Sequence, residues 1–381
     1  MKHVDEYRDG EIARGLARRI AEEAREDHSY RFMEFCGGHT HAISRYGIED
    51  LLPAGIRMIH GPGCPVCVLP MARIDMAISC ARDPRVMLCC YGDLMRVPGS
   101  NGASLLKTKA AGADIRMVYS TLDAITIAGS EPERQVVFFA IGFETTTPPT
   151  AMAIRLAQKR RLTNFTIFCN HVLTPSAIQT ILEASDPDAV EIDGFIGPAH
   201  VSTIIGTAPY RRFASEFRKP VVVAGFEPLD VVQAILMLVR QVNEGRAEIE
   251  NQYIRAVTEN GNSKALDEIA DIFELRETFE WRGLGEIPHS ALRLREPYAQ
   301  FDAERRFPVV TKPARDNPAC ECGAILRGVK RPQDCKLFGA ACTPETPMGA
   351  CMVSSEGSCA AYWAYGRFRQ LEQPSMQRAS R

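Results

Sequence analysis

What this 381-residue chain has little of narrows its class first. Net charge is nearly absent, −2 at pH 7, which gives no reason to expect nucleic acid or an anionic membrane as a partner. Long apolar runs are missing as well. The longest, around Ala234 to Val239, falls far short of the roughly 20 residues a membrane-spanning helix needs. The segment Met1-Lys2-His3-Val4-Asp5-Glu6 lacks the apolar core of a signal peptide, so the expected location is the cytoplasm. Neither the Rossmann Gly-x-Gly-x-x-Gly pattern nor the Walker pattern occurs. Hydrophobic content of 45% and charged content of 24% are those of an ordinary globular protein, and the length suggests two or three domains.

Cysteine is the residue in excess. There are 13, an odd number, and in a reducing compartment that argues for metal or redox chemistry over a disulfide framework. Six of them (Cys320, Cys322, Cys335, Cys342, Cys351, Cys359) crowd the C-terminal part. Cys80, Cys89, Cys90 and Cys169 lie in apolar runs and read as packing residues.

The hydrophobic pattern organises the chain. Ile12, Leu16, Ile20 and Ala24 recur four apart, an amphipathic helix over 10–27. Short apolar strands then alternate with helical stretches: 30–35, 56–59, 85–91 and 114–119, followed by 135–141, 164–170, 194–196 and 220–224. Such alternation predicts parallel sheets covered by helices, here an α/β domain over 28–131 and a second over 132–246, facing each other across a cleft. Glu248 to Glu280 is charged and helical in period. From Gly283 onward the chain is rich in Pro, Gly and Arg, a composition that needs a metal staple. Residues 1–27 with 247–381 are therefore expected to form a smaller, cysteine-rich third domain.

Two motifs sit where strands should end in loops, the usual ligand-binding edge of such sheets. Cys36-Gly-Gly-His39-Thr-His41 follows the first strand, and Gly61-Pro-Gly-Cys64-Pro-Val-Cys67 follows the second. Cys64 and Cys67 have the spacing to chelate one metal or to close a disulfide; inert buried thiols are the plain alternative. Backbone amides after Cys36 are expected to lower its pKa and favour the thiolate. His39 and His41, two apart on a helix, cannot both face the site. Thiolate and imidazole suit iron, zinc or copper. At the C-terminal end, Cys322-x12-Cys335-x6-Cys342-x16-Cys359 suits an iron–sulfur cluster, with zinc as the competing reading. Glu356 puts a carboxylate beside the last of these, or serves as an ordinary helix cap. Gly142-Phe-Glu-Thr-Thr-Thr147-Pro opens a helix after a buried strand. It suits either anion binding or plain capping by Thr147.

Taken together, the Cys36-Gly-Gly-His-Thr-His, Gly61-Pro-Gly-Cys-Pro-Val-Cys and Gly142-Phe-Glu-Thr-Thr motifs and the C-terminal cysteine run resemble the HypD family. These are maturation scaffolds for [NiFe]-hydrogenases, and the resemblance runs over nearly the whole chain. It implies two Rossmann-like α/β domains plus a [4Fe-4S] domain. It implies assembly of an iron carrying two cyanides and one carbon monoxide, together with a small HypC-type partner. A HypE-type partner donates the cyanide, and the product goes to the hydrogenase large subunit. By position, Cys36 would be an iron ligand. Cys64 and Cys67 would be a redox-active pair near the cleft. On the residues themselves, Cys64, Cys67, His39 and Glu356 are the candidate catalytic groups, and Cys36, Cys64 and Cys67 the candidate metal ligands. Cys322, Cys335, Cys342 and Cys359 would hold the cluster. Such a protein is a redox-active assembly scaffold rather than a turnover enzyme. The rival is a cluster-dependent disulfide oxidoreductase acting on protein thiols, which leaves Cys36 and the histidines without a role. A zinc-stabilised binding protein is the plainer rival.

Overall fold

Nine short strands in two parallel sheets hold the molecule together. They are β1 (Tyr30–Glu34), β2 (Ile56–His60), β3 (Val86–Cys90), β4 (Ile115–Met117), β5 (Gln135–Gly142), β6 (Phe165–His171), β7 (Gly194–Gly197), β8 (Val221–Val223) and β9 (Ile249–Asn251). The computed structural model describes residues 5–184, 190–307, 314 and 316–367. The outer ends of the expected third domain, 1–4 and 368–381, lie outside them.

Strands such as Val-Met-Leu-Cys-Cys in β3 are buried along their whole length, because helices cover both faces of a parallel sheet. The first sheet runs β2-β1-β7-β8-β9 and the second β4-β3-β5-β6. The grouping 28–131 and 132–246 does not coincide with these sheets. β3 and β4 pair with β5 and β6, while β1 and β2 share a sheet with β7, β8 and β9. Periodicity marks where strands lie but carries no information on which neighbour each will choose. Both sheets reverse their order once, between β1 and β7 and between β3 and β5. Ligands bind at such reversals, beyond the carboxyl ends of the strands.

The first helix spans Gly10–Glu23, capped by the Asp9 side chain, and is shorter than the 10–27 expected. The Glu248–Glu280 stretch is helical only over Ser263–Ile272, where Asn262 caps the start. Before it, residues 249–251 extend the first sheet by pairing with β8. After it come two antiparallel ribbons, 273–275 with 292–294 and 278–281 with 285–288.

The cysteine-rich segment does not build a core of its own. Cys322, Ile325, Leu326, Cys342, Cys351, Met352 and Cys359 join one apolar cluster with Met33, Phe35, Cys64 and Cys67. A buried charge group ties the later ribbons to the second sheet. Arg73 donates to Glu304 at 2.7 Å and to the Cys169 carbonyl at 2.9 Å, and Arg276 shares the same carboxylate.

Candidate functional site at the sheet reversal

The chain leaves β1 at Phe35 and enters a helix (Gly37–Tyr46) with Cys36 at its N-cap. The Gly61-Pro-Gly63 loop after β2 lies directly on this junction. The Gly37 N–H donates to the Gly63 carbonyl at 2.9 Å. A Cβ on Gly63 would stand 2.4 Å from the Cys36 nitrogen, so only glycine lets the loops touch. The other two glycines serve packing too. A Cβ on Gly37 would meet the Glu356 side chain at 2.3 Å, and one on Gly38 the Phe226 ring at 2.5 Å. This explains the Cys-Gly-Gly spelling without any positive φ.

Cys36 is buried, and its sulfur accepts from the amides of Gly38 and His200, the latter just beyond β7. The expected thiolate is not what this environment favours. Burial, then the charges of Glu356 and Glu34, push the thiol up to about 12 against the pull of the two amides. Helix-terminus amides were the visible feature in sequence; burial and two carboxylates from distant segments outweigh them.

Glu34 was missed in the sequence, although a carboxylate inside the apolar run Tyr-Arg-Phe-Met-Glu-Phe was the available signal. It is fully buried and accepts from the Cys36 amide at 2.8 Å, from the Thr40 hydroxyl and from His60 Nδ1 at 2.9 Å. Burial opposes protonation of His60, yet the bond to Glu34 and its charge together raise the imidazole above its ordinary value. His39 and His41 diverge, as their spacing requires. His39 Nε2 faces the carbonyls of Ala224 and Gly225 at 3.1 and 2.9 Å, so that nitrogen carries the proton. Its Nδ1 is buried with no hydrogen-bond partner, and burial lowers its pKa. His41 lines a surface cavity and meets Tyr365 edge-on.

Cys64 and Cys67 are joined as a disulfide, with Cα atoms 5.2 Å apart, at the start of a short helix (Pro65–Val68). The bridged pair has no thiolate to offer a metal in this state. A cavity of about 440 Å³ lies beside it, lined by Pro65 and Val66, by Tyr91 and Asp93 after β3, by Gly142 at the end of β5, and by Glu356. This is the reversal point of the second sheet. Glu356 bridges the two reversals, touching Gly37 on one side and lining this cavity on the other. Burial, then Asp93 and Glu34, raise its pKa.

The C-terminal thiols gather nearby. Cys320 and Cys322 sulfurs are 3.3 Å apart, Cys359 bonds Cys322, and Cys342 accepts from the Met348 amide at 3.4 Å. Cys351 adds its field to Cys359. A Cβ on Gly349 would fall 2.4 Å from the Cys320 sulfur and 2.5 Å from that of Cys322, so a glycine backbone forms one wall of this thiol cradle. Cys335 instead bonds the Glu321 side chain, on the flank of the group. Among the described residues no three His, Cys, Asp or Glu side chains converge as ready-made metal ligands. The donor set, thiols walled by glycine, fits a thiolate-bound iron group in kind.

The Gly142-Phe-Glu-Thr-Thr motif is filled from within. Gly142 has φ +140°, and a Cβ there would collide with Thr146. Thr146, not Thr147, occupies the N-cap, and neither caps through its side chain; both hydroxyls donate to the Phe143 carbonyl. Glu144 instead meets the start of the following helix (Thr174–Glu183), accepting from the Thr174 amide at 2.9 Å and hydroxyl at 3.1 Å. Burial pushes its carboxyl up to about 7. No helix among the described residues is long and apolar enough to cross a membrane.

The class defined by this fold and site is a doubly wound α/β protein with Cys36 and the Cys64–Cys67 disulfide at the sheet reversals and a cysteine-bearing segment packed into the same core. The HypD family model, described as "Hydrogenase formation hypA family", matches residues 11–366. Similar chains include hydrogenase maturation factor HypD of Rhizobium leguminosarum bv. viciae, 73% identical over 97% of each chain. HypD of Cupriavidus necator is 63% identical over 97% of this chain and 99% of its own. HypD of Escherichia coli K12 is 47% identical over 96% and 98%. The chain belongs to the HypD family of hydrogenase maturation factors.

Proposed function

We propose that this maturation factor is a cytoplasmic scaffold on which the Fe(CN)2CO unit of [NiFe]-hydrogenase is assembled, working with a small HypC-type partner. One observation carries the reading: Cys36, the Cys64–Cys67 disulfide and Glu356 meet where the two sheet reversals adjoin, with the cysteine cradle packed in the same core.

Iron is the cargo, held by Cys36 together with a partner cysteine. Loading it requires loss of the thiol proton, which the amides of Gly38 and His200 and the incoming cation favour. Cyanide arrives as a thiocyanate on a HypE-type partner. Its release breaks the S–C bond and consumes two electrons. The reduced Cys64–Cys67 pair supplies both by closing its disulfide, giving the partner thiol, cyanide bound to iron, the disulfide and one proton. Glu356, held protonated more readily than an ordinary carboxyl, donates to the departing partner sulfur. His39 Nδ1, buried without a partner, is the acceptor for the proton released from the thiol pair, against the burial that lowers its pKa. Cys322, Cys342 and Cys359, with Cys335 or Cys320 as fourth thiolate, would hold a [4Fe-4S] cluster, a group that would supply single electrons toward the Cys64–Cys67 disulfide. The finished unit then passes to the hydrogenase large subunit.

A disulfide oxidoreductase would use the thiol pair and the cradle, but would give Cys36, Glu34 and Glu356 nothing to do. Labelled cyanide transfer from a thiocyanate-bearing donor tests the proposal, followed by infrared bands of the iron-bound ligands. Cys36→Ala and Cys64→Ser should each abolish the bands; full transfer by Cys64→Ser would sink the two-electron role of the pair.

A further inference from the structure

We propose that Arg282 is a positioning residue joining the thiol-pair loop to the cysteine cradle, its buried guanidinium setting the reduction potential of the metal group held there. The inference rests on the proposed cluster and adds a residue outside every motif recognised in the sequence.

Arg282 follows the strand 278–281 and is only 3% exposed. It grips the end of the helix that carries Cys67. Its amide donates to the Val68 carbonyl at 2.7 Å and its Nε to the Leu69 carbonyl at 3.0 Å. The next residue touches the other side. Gly283 packs so tightly on Gly323, the neighbour of Cys322, that a Cβ would stand 2.7 Å from the Gly323 Cα. Arg327 from the same cysteine-bearing helix donates to the Gly283 carbonyl at 2.8 Å. One dipeptide therefore spans the gap between the disulfide and the cradle. Asp316 pairs with Nη1, whereas Nη2 is buried with no hydrogen-bond partner. The guanidinium's positive field reaches the Cys320 sulfur and the Glu280 carboxylate.

A fixed cation beside a metal–sulfur group favours its more negative, reduced form, and protein charge is one of the levers on such potentials. Arg282 on the Cys67 helix and Gly283 on the Cys322 helix thereby tie the disulfide loop to the residues that would hold the group.

The test is a potentiometric titration of the full-length chain, purified anaerobically, with sulfide content measured on every sample. Arg282→Met should cut the reduced-to-oxidised ratio at a fixed potential roughly tenfold, a downward shift of about 59 mV for a one-electron couple. Arg282→Lys, which keeps the charge, should restore most of it. Asp316→Asn removes the compensating carboxylate and should move the potential upward; it keeps the test open if Arg282→Met does not fold. Unchanged potentials in Arg282→Met or Asp316→Asn with full sulfide would overturn the role of Arg282 and leave the cluster reading intact. Wild-type chain containing zinc and no sulfide would overturn both.

Discussion

Replacing Gly63 by alanine perturbs a contact that seats the disulfide loop on the Cys36 loop. The added Cβ would lie 2.4 Å from the Cys36 nitrogen, 2.5 Å from the Phe35 carbonyl carbon and 2.7 Å from the Cys36 Cα. All three are backbone atoms and cannot swing aside. Restoring ordinary contact at about 3.4 Å requires the loops to part by roughly 1 Å, which also breaks the bond from the Gly37 amide to the Gly63 carbonyl. Overpacking costs about 1–3 kcal/mol and the lost bond about 1 kcal/mol, so the expected destabilisation is about 2–4 kcal/mol. Urea denaturation followed by circular dichroism reads it as a lower midpoint at unchanged slope. Gly129→Ala is the matched control: Gly129 lies in the helix 121–130 with nothing within 4 Å of its Cβ position, and alanine there should gain about 0.5–1 kcal/mol. If Gly63→Ala falls within about 0.5 kcal/mol of wild type, the two loops are not in the contact described, and the geometry placing Cys36 beside Cys64 fails with it.

Acid stability should carry the signature of Glu304. Arg73 and Arg276 hold its carboxyl at about 2, overcoming burial, against 4.5 ordinarily. Its folded value is depressed, so the stabilisation, about 3 kcal/mol, is complete above pH 4.5 and lost as pH falls toward 2. Glu304→Gln should thus be much less stable at pH 7 than wild type, with the gap closing below pH 4.5; a gap constant with pH would refute the ion pair's part. Cys36 in metal-free protein should resist iodoacetamide at pH 8, since a thiol at about 12 is ionised to roughly one part in ten thousand. Glu356→Gln removes the larger of the two carboxylate charges raising that thiol, so alkylation of Cys36 should quicken. A slower reaction would show that Glu356 does not face the sulfur.

The strands were legible because parallel strands buried on both faces spell continuous apolar runs. Their partners were not: nothing in Val86–Cys90 announces that it will join 135–142 rather than 30–34. The same limit applies to the site. Cys36, Cys64 and Cys67 stood out by residue type and by their glycine neighbours. The groups that govern them came from far along the chain, Glu34 hidden in a strand and His200 beyond another. The pKa of Cys36 was misjudged for that reason. A local motif shows its own amides but not the carboxylates that folding brings against it. Cys320 lies against Cys322 while Cys335 turns to Glu321 on the flank, an arrangement that spacing alone does not reveal.

Iron and acid-labile sulfide, measured with an electronic spectrum on anaerobically purified wild type and Cys36→Ala, test the central claim most directly. The account expects about four sulfides with four to five irons, and loss of only the surplus iron in Cys36→Ala. Zinc without sulfide, or a surplus iron that survives Cys36→Ala, would contradict it.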